Sequence, residues 1–190
     1  MNRILALFCL FASLQCEAKR KVPRHIQKKF SVCYSGQTIP IRALIDIDGY
    51  YSMQRSVDST STVKMQFFDD GIFQVQCGTC DRDFSVKFFD CGLFRISGDT
   101  IIVEHLFDLG SSIRVEWHAL QEKFKVIDRQ TIVRIDAKYL SHQVQSKYET
   151  NYWNDAILRQ KPSPARFISN CRNVSTKCWI KEEDWIRCKP

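Results

Sequence analysis

The chain has 190 residues, 28 Lys/Arg against 21 Asp/Glu for a net charge of +7, and 44% hydrophobic residues. That length suits a single domain, and an ordinary apolar fraction excludes wholesale disorder and collagen-like repetition. The longest apolar run, Ile4 to Leu14, falls short of the roughly 20 residues that a membrane-spanning helix needs.

That run follows the basic start Met1-Asn2-Arg3 and reads as a secretory signal over residues 1–18. Two processing routes stay open. Cleavage before Cys16 would leave a thiol to carry lipid, although Ser13-Leu14-Gln15 is a poor match to the small residues expected there. Cleavage after Ala18 would remove Cys16 with the signal. An arm over residues 19–37 comes next. Its first part, residues 19–29, holds six Lys/Arg and no acid, whereas residues 30–190 hold 21 basic and 20 acidic side chains. The basicity therefore belongs to the arm, which reads as a solvated spacer, with an anionic headgroup surface as the alternative. A near-neutral body on an exported chain argues against nucleic acid as a partner.

From residue 43 onward the chain alternates strand and turn signals. Eight strands are expected at about 43–54, 62–69, 71–77, 91–97, 100–107, 112–119, 122–128 and 131–137. Asp69-Asp70-Gly71, Ser97-Gly98-Asp99 and Asp128-Arg129-Gln130 supply tight hairpin turns. Short connections and β-branched or aromatic enrichment favour an up-and-down meander. The fold class is mainly β: an eight-stranded antiparallel barrel over residues 38–140. Closure removes exposed sheet edges, with an open sandwich as the competing arrangement. Residues 141–190 read as a C-terminal extension packed on the barrel. It comprises a short helix near Tyr148–Leu158 and a hairpin that would oppose Cys178 and Cys188 as a disulfide, a helix after Lys181 being the alternative.

Several strings carry a resemblance. Ala43-Leu44-Ile45-Asp46-Ile47-Asp48-Gly49-Tyr50-Tyr51, Phe67-Phe68-Asp69-Asp70-Gly71-Ile72-Phe73 and Cys91-Gly92-Leu93-Phe94-Arg95-Ile96-Ser97-Gly98-Asp99-Thr100-Ile101-Ile102 are three of them. Phe124-Lys125-Val126-Ile127-Asp128-Arg129-Gln130-Thr131-Ile132 and the Trp-containing tail are the others. Together they resemble the lipocalin-like lipoproteins of Bacteroides-type bacteria over roughly residues 38–190. The resemblance implies a lipocalin-like barrel in the bacterial cell envelope, periplasmic or anchored to the outer membrane through lipid on Cys16. It supplies no catalytic residues.

Nine cysteines leave seven available for pairing after processing, an odd number. Cys77-Gly78-Thr79-Cys80 has redox-motif spacing but ends a strand, with no helix behind it to lower a thiol pKa. Cys77, Cys80 and Cys91 therefore read as structural disulfide candidates or unpaired loop thiols, with zinc or redox chemistry the lesser alternatives. His105 and His118 fall on neighbouring expected strands and read as ordinary polar or half-buried residues. Asp46 and Asp48 read as a solvated outer strand face. Asn173-Val174-Ser175 is a glycosylation sequon that matters only in a eukaryotic host. No catalytic motif, metal set or cofactor-binding loop is read. Tyr51, Phe67, Phe73, Phe94 and Trp117 occupy apolar strand phases and would point inward. There they would line a pocket for a small apolar ligand or fill the barrel. The expected function is binding without catalysis, of a small apolar molecule or an envelope partner. A structural or protein-interaction module with a packed barrel is the first alternative.

Overall fold

The computed structural model describes residues 24–54, 62–77, 90–108, 117–141, 163–169 and 185–188. Within them the chain forms β1 (Tyr50–Gln54), β2 (Thr62–Phe67), β3 (Ile72–Cys77), β4 (Asp90–Ser97) and β5 (Thr100–Asp108). It continues with β6 (Trp117–Asp128), β7 (Thr131–Ser141) and β8 (Pro164–Ile168). Each strand pairs antiparallel with the next and β8 returns to β1, which gives a closed eight-stranded barrel.

Three tight turns are where the sequence puts them. Gly71 and Gly98 hold left-handed backbone at φ of 89° and 61°, conformations that a side chain would strain. The β2–β3, β4–β5 and β6–β7 turns all lie at one end of the barrel. The connections 55–61, 78–89, 109–116 and 142–162 leave from the other end and are outside the described residues.

Three features differ from expectation. First, residues 43–49 are not strand. Pro40 starts a 310 turn, Pro40–Ala43, and the chain then crosses the tight-turn end. Ile41, Ile45 and Ile47 point into the barrel there, while Asp46 turns out to Arg129 (2.7 Å) and Asp48 to Arg42 (2.9 Å). The period-two alternation comes from a plug, not from a strand. Second, the two strands expected at 112–119 and 122–128 include a single strand from Trp117 to Asp128. Leu120-Gln121 offers no turn residue, and the sheet absorbs the mismatch through register shifts against β7. Third, the eighth strand comes from the tail. Arg166 sits opposite both Ser52 on β1 and Thr131 on β7, so Pro164–Ile168 belongs to the barrel and not to an extension packed on it.

The interior is largely apolar, from the tight turns as far as Met53 near the long-connection end of β1. Tyr51, Met53, Met65, Phe67, Phe73, Val75, Phe94, Ile101, Val103, Phe124, Ile132 and Ala165 fill it as one cluster with the plug isoleucines. A second cluster lies on the outer wall. There Ile26 of α1 (Arg24–Gln27), Val32, Tyr34 and Trp185 cover Ile72, Cys91, Leu93, Leu106 and Ala119. The N-terminal segment is thus a strap across the strands, so from residue 24 onward the arm is no solvated spacer.

Glu104 latches the strap. Its buried carboxylate accepts hydrogen bonds from Ser31 N (2.6 Å), Ser31 Oγ (2.6 Å), Val32 N (2.9 Å) and Gln121 Nε2. Cys33 bonds to Cys188, and Tyr34 forms a parallel bridge with Arg187. Cys188 therefore does not pair with Cys178, because its sulfur is bonded to Cys33 where residues 185–188 run beside the strap. The Cys33–Cys188 bond joins residues 155 apart and restricts the unfolded chain strongly. Replacing both cysteines by serine is expected to lower stability by about 2–5 kcal/mol in urea unfolding; an unchanged midpoint would show that this bond adds nothing.

Candidate functional site

The inward face changes character partway along the barrel. On β5 the inward positions are Ile101, Val103 and His105; on β6 they are Phe124, Glu122, Leu120 and His118. Pairing sets Ile101 against Phe124, Val103 against Glu122 and His105 against Leu120. On β7 Ile132 and Arg134 are buried, then Ile135 and Asp136 both lie exposed. That irregularity lets Ala137 and Tyr139 resume the inward phase opposite Glu122 and Leu120. Polar side chains from three adjacent strands thus share one layer, between the aromatic half and the long-connection end.

Glu122 is the centre of this layer. Its carboxylate meets His105 Nε2 at 3.1 Å through one oxygen and Arg134 at 3.1 Å through the other, and all three side chains are buried. Burial alone would push the carboxyl pKa up, but the His105 hydrogen bond and the charges of His105 and Arg134 outweigh it and hold the group below its ordinary value. Burial, with the Glu122 charge nearby, pushes the Tyr139 hydroxyl up. His118, also buried, extends the layer along β6.

Gly92 links this layer to the aromatic half. It stands on β4 between Phe73 of β3 and His105 of β5. With no side chain in the gap, the Phe73 and His105 rings meet edge to face, centroids 5.7 Å apart. A Cβ there would collide with the Glu104 carbonyl and with His105.

Of the residues read as ligand-lining, Tyr51, Phe67, Phe73 and Phe94 do point inward, but they pack on one another. Phe67 lies 6.0 Å from Tyr51, 5.1 Å from Phe73 and 5.4 Å from Phe94, centroid to centroid. The Tyr51 hydroxyl donates to the Arg129 carbonyl at 2.7 Å, which ties the cluster to the tight-turn end, and burial pushes its pKa well up. These rings form the floor of the site. Trp117 starts β6, and only its backbone is described. Cys77 ends β3, and Cys91 is disulfide-bonded and buried beneath the strap. Cys16, Cys80, Cys178 and the helix expected near Tyr148–Leu158 lie outside the described residues. Among the described residues, no three His, Cys, Asp or Glu side chains converge as a metal set.

Sequence reading ranks His105 and His118 as ordinary residues and passes over Glu122 and Arg134. The available signal is the break in apolar phase: along β6 the positions in phase with Phe124 include the polar Glu122 and His118. No family model, curated protein or solved structure matches the chain.

Because the folded Glu122 pKa lies below its ordinary 4.5, its stabilising contribution is complete above that value and is lost as pH falls through the folded pKa. Glu122→Gln is therefore expected to cost about 3–5 kcal/mol at neutral pH, by leaving the buried Arg134 guanidinium without its counter-charge. Its stability should also fall less steeply than wild type in acid. Denaturant titrations at neutral pH and below 4.5 check both; equal slopes in acid would remove Glu122 as the titrating group.

Proposed function

We propose that this chain is an exported barrel protein that binds a small molecule in the half of the barrel nearest the long connections. The ligand's polar group meets the His105–Glu122–Arg134 layer and its apolar body rests on neighbouring walls. No catalytic step is assigned. The observation that carries this reading is a buried, bridged charge network inside an otherwise apolar eight-stranded barrel. Such a network is weak support for stability, since apolar residues of similar volume commonly serve as well or better. A buried carboxylate with a shifted pKa, held beside an imidazole and a guanidinium in an apolar interior, is instead a mark of binding sites.

Export is supported by the signal-like start and by a structural disulfide at Cys33–Cys188, with Cys91 also disulfide-bonded. Lipid on Cys16 would tether the barrel to an envelope membrane, as the lipocalin-like lipoprotein resemblance implies. The aromatic closed half favours one second reading, a packed barrel that serves as an interaction module.

The test replaces the network without leaving a lone charge. Glu122→Gln combined with Arg134→Met is expected to keep the near-UV circular dichroism of the barrel and to lose binding of a dansyl-labelled fatty acid. Wild type should bind that probe with a blue-shifted emission. Wild-type protein that neither binds the probe nor carries a small molecule in native mass spectrometry after purification from its host would support the interaction module instead.

A further inference from the structure

From Arg24 onward the strap gives the basic residues a fixed orientation. In α1 and the turn after it, Ile26 and Gln27 are buried against the barrel, while Arg24, His25, Lys28 and Lys29 are exposed. The segment is held at several points: Ile26 in the outer-wall cluster, Ser31 and Val32 on Glu104, and Cys33 on Cys188. No acid occurs between residues 18 and 45, so none within the strap offsets these charges. The tail segment bridged to the strap adds Arg187, whose guanidinium lies over the Tyr34 ring, and Ile186, an exposed apolar side chain. Two lysines elsewhere on the outer wall have acidic partners, Lys123 with Asp136 at 2.8 Å and Lys125 with Asp99 at 3.8 Å.

We propose that this strap is a docking face for an anionic lipid surface, with Arg24, Lys28 and Lys29 on the headgroups. Charge complementarity supports the choice of occupant. Basic residues near a membrane surface each add about 1 kcal/mol of attraction. The sequence also places Lys19-Arg20-Lys21 between Cys16 and this face, so the basic series runs from the lipidation candidate into the strap. The proposal goes beyond the interior ligand site and does not depend on it.

The test uses the mature chain carrying Cys16→Ser, so that no acyl chain contributes, in flotation with vesicles. Vesicles of phosphatidylcholine with one-third phosphatidylglycerol are expected to bind it, and neutral phosphatidylcholine vesicles are not. Binding should weaken as salt rises. Lys28→Ala with Lys29→Ala should weaken binding about thirtyfold, from the loss of two surface charges. Lys123→Ala, which removes a paired lysine, should leave it within about twofold. Equal binding to neutral vesicles, or no loss in the double variant, would overturn the proposal. Tighter binding to RNA than to anionic vesicles would overturn the choice of lipid.

Discussion

A sheet of seven antiparallel strands has two edges, and here both are held by the same short segment. Pro164–Ile168 pairs with β1 on one side and with β7 on the other. Each bare edge would otherwise present unpaired N–H and C=O groups, which are costly to bury and prone to association. Closure also fixes the interior. Eight strands enclose a space just wide enough for side chains or one small molecule, so the inward phase of every strand acquires its meaning only when the ring is complete. Ala165 and Phe167 supply the final inward positions; Phe167 lies 5.4 Å from the Tyr51 ring. Pro164 fits because it begins the strand, where a missing N–H does least damage.

Within the ring, the two halves do different physical work. The aromatic half is close-packed, sealed by the plug at Ile41, Ile45 and Ile47 and tied by Asp46 to Arg129. This half supplies the area burial that makes folding favourable. The layer above it places a carboxylate, a guanidinium and an imidazole in one buried network, with Tyr139 and His118 beside it. The cohesion of the first half offsets the desolvation of the second. Gly92 joins them, since the Phe73–His105 contact needs a strand position with no side chain. Outside the ring, Glu104 is a second buried acid, used to fasten the strap.

Much of the fold was legible because its turns and strand phases are local. The hairpins at 69–71, 98–99 and 128–130 carry Gly or Asp where the backbone demands it, and Phe67, Phe73 and Phe94 occupy the inward phase as the alternation suggests. Three of the errors share one cause: nonlocal structure overrode a local pattern. Residues 43–49 alternate because they thread across a barrel end, a context that period two cannot distinguish from a strand. Residues 164–168 look like a breaker because two prolines flank Ser163, yet their partners lie in β1 and β7, far away in sequence. Cys188 pairs with Cys33 because the tail meets the strap, which no spacing rule reveals. The polar layer was the least legible part, since histidine, glutamate and arginine on separate strands gain significance only when register brings them together.

The ring's closure by β8 is the claim on which the interior, the polar layer and the proposed ligand site all rest. Native-state amide hydrogen exchange of peptides covering 164–168 tests it most directly. A paired β8 predicts slow exchange, with protection approaching that of β5 and β6. Exchange at the rate of an unstructured chain, while β5 and β6 stay protected, would mean that the sheet is open and that its inward face is not enclosed.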